Sequence, residues 1–224
     1  MKILAIIPAR GGSKAIPLKN IKKLNKVPLI NYTIKNCIKS KIFDYIVVST
    51  DSKKIFNTAK KHKNIMVFNR SRNIAKDTSR LEETISDVLL KIYILKKYQP
   101  DWIFALQPTS PLRSSNTLIK AKNILKKNNK INSLVALLLL NGNAGKLINQ
   151  RFVCFDKNRK YRRQDRQPIF IESGALFCMK YKYFKKTKKL KEKKPFGFQI
   201  PKIENVDIDD LQDFKIVEAL AKSL

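Results

Sequence analysis

Two rhythms of apolar residues alternate along the first 140 positions of the chain. Short runs rich in isoleucine, valine and phenylalanine fall at residues 3–8, 45–49, 65–68, 101–106 and 133–140, the pattern of strands covered on both faces. Between them apolar residues recur at helical spacing. Leu29, Ile30, Ile34, Cys37 and Ile38 mark a helix over 28–40, and Ile85, Leu89, Ile92 and Leu95 mark another over 81–97. Residues 52–61, with Ser52 near the start, and 116–128 complete the helical set. Strands alternating with helices predict an α/β fold: a mostly parallel sheet covered on both faces, with ligands at the carboxyl ends of its strands. Three polar loops follow strands in this way: the stretch after Pro8, Thr50-Asp51, and residues 107–113.

The rhythm changes after residue 141. Asn141-Gly142-Asn143-Ala144-Gly145 reads as a turn, and short strands at 152–155 and 175–179 flank a polar, basic stretch. This predicts a small β-hairpin arm over 141–180, inserted in a core made of residues 1–140 and 181–224. A strand at 196–201 and a helix at about 209–221 close the core.

Charge is the loudest global property: 48 basic against 17 acidic residues give a net charge of +31. A nucleic-acid partner is the first thought. The basic residues, however, are spread along the chain apart from the run at 180–194. They show no interleaving with aromatics and no DNA- or RNA-binding signature, and lysine, isoleucine and asparagine abound as in an A/T-rich genome. No nucleic-acid partner is expected, although such a field also favours small anionic substrates. Cys37, Cys154 and Cys178 are odd in number and far apart, which suits reduced thiols in a cytoplasmic protein. The apolar run at 3–7 is too short for a signal core and the one at 134–140 too short to span a bilayer, so no membrane association is expected.

The loop after the first strand reads Ile-Ile-Pro-Ala-Arg-Gly-Gly-Ser-Lys-Ala-Ile-Pro-Leu-Lys-Asn, residues 6–20. A turn requires glycine or proline; it does not require Arg10, Lys14 and Lys19 together. Gly11 and Gly12 let backbone approach an anion, and Arg10 offers a planar fork to phosphate oxygens. Neither the Walker A pattern nor the dinucleotide-binding Gly-x-Gly-x-x-Gly pattern is present. From chemistry alone this is a polyphosphate loop of unassigned type.

The whole stretch resembles the signature of the acylneuraminate cytidylyltransferases, the CMP-sialic acid synthetase family, with Ala15 where that family usually has glycine. Leu106-Gln107-Pro108-Thr109-Ser110-Pro111-Leu112-Arg113 resembles a second block of the family, and Asn205-Val206-Asp207-Ile208-Asp209 an acidic third. The resemblance implies a Rossmann-like nucleotide-diphospho-sugar transferase fold and a reaction of CTP with a nonulosonic sugar acid, giving the CMP-sugar and pyrophosphate. It implies that Arg10, Gly11, Gly12, Ser13, Lys14 and Asn20, with Lys19, serve the triphosphate, and that Arg70, Asp77, Thr78 and Ser79 serve the cytidine. A solvated surface arginine is the competing reading of Arg70, and Leu81 stands where some relatives carry serine. On the sugar side it implies Gln107, Thr109, Ser110, Arg163 and Ser173. It further implies a homodimer in which Lys146 of one chain reaches the other chain's site; one more surface lysine is the competing reading. Ser173 replaces a family asparagine and Ile171 a frequent arginine, which leaves the identity of the sugar acid open.

Asp207 and Asp209, two apart in an extended segment, place their carboxylates on one side, a pair suited to Mg2+. Capping of the last helix by Asp209 or Asp210 is the alternative use. Three rivals remain: an eight-carbon sugar-acid (KDO) cytidylyltransferase, a family member that binds without turnover, and a basic nucleic-acid-binding protein.

Overall fold

The structure, a computed structural model, describes residues 1–156, 160 and 162–222. In chain order its elements are β1 (Ile3–Pro8), a small ribbon of β2 (Lys23–Leu24) and β3 (Val27–Pro28), α1 (Leu29–Ser40), β4 (Tyr45–Thr50), α2 (Lys53–Lys60) and β5 (Met66–Asn69). Then follow α3 (Leu81–Lys96), β6 (Trp102–Ala105), α4 (Ser115–Lys127), β7 (Ser133–Leu140), β8 (Gly145–Ile148), β9 (Arg151–Cys154), β10 (Ile169–Lys180), α5 (Tyr181–Thr187), β11 (Phe196–Gln199) and α6 (Leu211–Lys222).

Seven strands form the central sheet in the order β11-β7-β10-β6-β1-β4-β5. All run parallel except β10, which is antiparallel to β6 and β7 on either side. This is the mostly parallel α/β sheet expected from the alternation of strands and helices. Every residue from Ile3 to Ile7 is fully buried, as a strand covered on both faces requires. Ile3, Ala5 and Ile7 pack under α1, α2 and α4, while Leu4 and Ile6 pack under α3 and Phe184 of α5. Ser52 caps α2 by accepting a hydrogen bond from the Ile55 amide.

The chain leaves β1 to build β4 and β5 on one side, then crosses back to place β6 on the other. The carboxyl end of β1 is therefore the point where strand order reverses, the usual ligand crevice of such sheets. A third apolar cluster sits beside this point: Ile16, Leu24, Leu29, Leu112, Ile208, Phe214 and Val217. It ties the opening loop, the loop after β6 and the segment before α6 into one rigid rim.

The segment expected as an arm divides. β8 and β9 form a separate two-stranded ribbon, paired from Gly145↔Cys154 to Ile148↔Arg151. Residues 169–180, in contrast, form a single long strand in the central sheet, where only a short strand at 175–179 was expected. Its pairing with β7 shifts register between Glu172 and Phe177. That irregularity, around Ser173-Gly174, breaks the apolar alternation and hides the strand's length from pattern reading.

Candidate active site

A cleft of about 580 Å3 opens at the carboxyl ends of β1, β5 and β6. Arg10, Ser13, Lys14, Lys19 and Asn20 enter it from the opening loop. Arg70, Asp77 and Ser79 enter from the connection between β5 and α3, Gln107 and Thr109 from the loop after β6, and Asp209 from the segment before α6. Residues from four separate stretches of sequence thus face one space.

The opening loop is held from both ends. The buried Asn20 amide donates to the Arg10 carbonyl at 2.9 Å, and the Gly11 amide donates to Asp51 at the end of β4, also at 2.9 Å. Gly11 therefore spends its N–H within the protein rather than on a ligand. A side chain at Gly11 would meet Ser52 Cβ at 2.9 Å, whereas Gly12 faces open space. Leu18 adopts a left-handed conformation, φ 51°, before the 3-10 turn Lys19–Ile21 that carries Asn20. Strain of that kind persists where surrounding structure fixes it; here Ile16 is locked in the third cluster. Lys19 donates to the Ile208 carbonyl at 2.6 Å, joining the opening loop to the acidic segment.

Arg70 is 8% exposed, which excludes the solvated-surface reading. Its guanidinium donates to the Ser49 carbonyl at 2.7 Å and to Ser49 Oγ at 3.2 Å. Burial pulls its pKa down to about 10, opposed by the nearby carboxylates of Asp51 and Asp87. Asp77 bridges Arg10 and Lys14, with Lys14 Nζ at 2.7 Å. Ser79 Oγ accepts from the Lys76 amide and donates to the Asn73 carbonyl, giving this loop a fixed shape.

The acidic segment sorts the roles of its carboxylates. Ile208 is buried and its amide donates to the Thr109 carbonyl at 2.9 Å, so Asp207 and Asp209 flank an anchored residue. Asp210 caps α6, accepting from the amides of Gln212 and Asp213 at 2.8 and 2.9 Å. Asp213 reciprocates, accepting from the amides of Asp209 and Asp210. Capping thus falls to Asp210 and Asp213, and the Asp209 carboxylate is left to the cleft. Asp207 lies beside the irregularity of β10, where a side chain at Gly174 would come within 3.0 Å of Asp207 Oδ2. Among the described residues no group of three or more His, Cys, Asp or Glu side chains could hold a metal ion. A cation here would draw on these two hard carboxylates and complete its shell with ligand phosphates and water, which suits Mg2+.

Several expected residues stand apart from the cleft. Ser110 and Ser173 are buried, and Ser173 Oγ accepts from the Ala175 amide at 3.2 Å, a structural bond. Thr78 and Asp207, like Gly11 and Gly12, do not line the cleft, so of the two expected metal-binding carboxylates only Asp209 faces it directly. Lys146 is on the β8–β9 ribbon, its ammonium 5.9 Å from the centre of the Phe155 ring. Arg163 begins a 3-10 turn, Arg163–Asp165, and its side chain lies outside the described residues. His62 follows α2, half-buried and outside the cleft.

Sequence reasoning missed Lys76 and Arg80, which line the cleft beside Asp77. Basic residues are so common here that neither stood out. It also assigned no role to Arg113, which is 1% exposed. Arg113 donates to the carbonyls of Gln107 and Ala175 and, at 3.0 Å, to Thr33 Oγ1, so one guanidinium joins the loop after β6, β10 and α1.

A basic cleft thus lies at the switch point of a mostly parallel sheet covered on both faces, the architecture of a nucleotide-binding α/β fold. Solved structures agree: CMP:2-keto-3-deoxy-manno-octonic acid synthetase complexed with CTP aligns with a TM-score of 0.74 at 15% identity, covering 100% of both chains. A 4-diphosphocytidyl-2C-methyl-D-erythritol synthase aligns with a TM-score of 0.71 at 11% identity, covering 98% of this chain and 99% of that one. The cytidylyltransferase family model matches residues 4–222, and the chain belongs to that family. A CMP-N,N'-diacetyllegionaminic acid synthase of Legionella pneumophila is 32% identical, covering 98% of this chain and 96% of that protein. A pseudaminic acid cytidylyltransferase of Campylobacter jejuni is 31% identical, covering 99% and 97%. The chain is an enzyme of the cytidylyl-transferring class.

Proposed function

We propose that the protein activates a nonulosonic sugar acid, joining it to CMP from CTP and releasing pyrophosphate. The observation that carries this reading is the convergence of Arg10, Lys14, Lys19 and Arg70 on one cleft that also receives Gln107 and the Asp209 carboxylate. The names of the relatives support a nonulosonic acid over the eight-carbon KDO, because the relatives near 30% identity act on the former, while the KDO enzyme shares the fold.

In this reading the sugar hydroxyl attacks the α-phosphorus of CTP. The new P–O bond forms as the bond to the bridging oxygen breaks, and pyrophosphate departs. Reactions of this kind ask the protein for positioning and charge neutralisation rather than covalent chemistry. Arg10, Lys14 and Lys19 neutralise the triphosphate, and Asn20 keeps the loop that carries them closed on Arg10. Arg70 forms the buried wall toward the nucleotide, and Gln107 and Thr109 face the sugar acid. Asp207 and Asp209 would hold Mg2+, which supplies charge neutralisation at the phosphates and lowers the pKa of a bound hydroxyl.

A homodimer completes the proposal. The β8–β9 ribbon exposes Leu147 and Phe152 by 75% and 58%, and Phe155 just after it by 60%, a cluster of exposed apolar side chains that suits a protein partner. A second copy of the chain covers it, and Lys146 reaches the partner's cleft. Among the described residues no helix is long and apolar enough to cross a membrane; the enzyme works in the cytoplasm, where CTP is found. The test is pyrophosphate release from CTP and Mg2+ with a panel of neuraminic, legionaminic, pseudaminic and KDO acids. Turnover with a nine-carbon acid is expected; turnover with KDO alone, or with none, overturns the reading.

A further inference from the structure

Asp77 stands where the phosphates of a nucleotide would be expected. One of its carboxylate oxygens meets Arg10 and the other meets Lys14 at 2.7 Å, the two-point engagement that a phosphate offers to a pair of cations. The carboxylate is presented, not loose. Ser71 Oγ accepts from the Asn73 amide at the start of its loop, and Ser79 Oγ closes the loop on the far side through the Lys76 amide and Asn73 carbonyl. Lys14 and Arg10 hold the Asp77 carboxyl below the usual carboxylate range, so it stays charged throughout neutral pH. Lys76 and Arg80 line the same cleft, yet among the described residues neither pairs with Asp77 or with any other carboxylate in an ion pair. The cleft therefore has a satisfied phosphate end, at Arg10 and Lys14, and an unsatisfied one.

We propose that Asp77 is an internal competitor for the phosphate-binding cations, which must be displaced when the triphosphate binds and which reclaims Arg10 and Lys14 as pyrophosphate leaves. This deepens the cytidylyltransferase reading and rests on it. The ion pairs are poised for exchange. The side chains of Lys14, Asp77 and Arg10 are 84%, 39% and 35% exposed, so solvent screens the contacts and they are weak enough to open. A multivalent anion displaces a single carboxylate because it keeps its remaining contacts while doing so. Once the α–β bond is broken, pyrophosphate has lost its tether to the nucleotide, and a neighbouring carboxylate then shifts the balance toward release. Competition of this kind weakens every ligand that needs Arg10 and Lys14 and leaves a ligand that does not need them unaffected.

The experiment is calorimetric binding of inorganic pyrophosphate, inorganic tripolyphosphate and CTP to the full-length protein, comparing the wild type with Asp77→Asn. Pyrophosphate and tripolyphosphate should each bind about fivefold more tightly to the variant, the scale set by exposed ion pairs. Pyrophosphate should also become a correspondingly stronger product inhibitor. A general change in cleft charge would tighten binding too, so the same substitution is repeated in a Lys14→Ala background. Direct competition predicts that the gain shrinks there, because one of the two contested cations is gone. Unchanged or weaker pyrophosphate binding in Asp77→Asn overturns the proposal, as does a gain retained in full beside Lys14→Ala. Failure of the wild type to bind either CTP or pyrophosphate would overturn the cytidylyltransferase reading itself, a result distinct from both.

Discussion

Asp209 and Asp210 are adjacent in the chain and serve different ends. Asp210 satisfies two amides at the start of α6, while Asp209 faces the cleft. Asp210→Ala should cost about 1 kcal/mol through the lost cap, lowering the melting temperature by roughly 2–4 °C in a domain of this size with turnover intact. Asp207→Asn and Asp209→Asn should do the reverse, keeping the melting temperature and losing turnover, with partial recovery at high Mg2+. Normal turnover at low Mg2+ in both asparagine variants would remove the metal role. From sequence alone the capping and metal-binding uses could not be separated, because they differ by one residue of register at a helix start. Arg70 posed a similar problem. Burial removes the surface reading, and nothing in the local pattern announces it. The buried thiols make a different prediction. Burial raises Cys37 from its ordinary 9.0 to about 12, against the lowering effect of Arg113, and Cys178 moves the same way. A folded-state pKa above the unfolded value gives stability that is complete below the unfolded pKa and is lost as pH rises above it. The urea midpoint should therefore fall as pH rises above about 9, and less steeply in Cys37→Ala; equal slopes would show that folding leaves the thiol's pKa unchanged.

At the scale of elements, the main strands and helices of the first 140 residues could be read to within a residue or so, because the sheet strands are buried and the helices keep a regular apolar period; the short β2–β3 ribbon, two residues a strand, left no such period. β10 could not be read at full length. Glu172-Ser173-Gly174 interrupts its pattern just where pairing with β7 slips. What holds that slip is Arg113, a cation with no acidic neighbour in the sequence and no ion-pair partner in the fold among the described residues. Its bonds to Ala175, Gln107 and Thr33 make it a fastening between β10, the loop after β6 and α1. Burial lowers its pKa, opposed chiefly by Cys37 and then by Glu204 and Asp207. Arg113→Met would keep the bulk but leave buried acceptors without donors, each costing about 1–3 kcal/mol. The variant should unfold at markedly lower urea than the wild type. An unchanged midpoint would show that water replaces the guanidinium without loss.

At the scale of the whole molecule, the ribbon of β8 and β9 is the surface on which the proposed dimer rests. Gly145 is held so close to its partner strand that an added side chain would meet the Val153 carbonyl at 2.4 Å, so the ribbon's shape is specified tightly although little of the chain packs on it. A surface that is tightly shaped, apolar and exposed is what a two-fold interface requires. The proposed dimer places Lys146 in the partner's cleft, and complementation tests this without a structure of the dimer. Arg10→Ala and Lys146→Ala are each expected to be nearly inactive. Removing one preorganised charge contact typically costs about 3 kcal/mol of transition-state stabilisation. When the two variants are mixed under conditions where subunits exchange, about half of the dimers are mixed if pairing is random. If Lys146 acts across the interface, each mixed dimer has one site with both lesions and one with neither, and roughly a quarter of wild-type activity returns. If Lys146 acts within its own chain, every site keeps a lesion and the mixture stays inactive. Light scattering on Phe152→Glu provides the companion measurement, because a charge in the middle of the apolar ribbon should leave monomers. A monomeric wild type, or an inactive mixture in which exchange is demonstrated, would show that the site is complete within one chain.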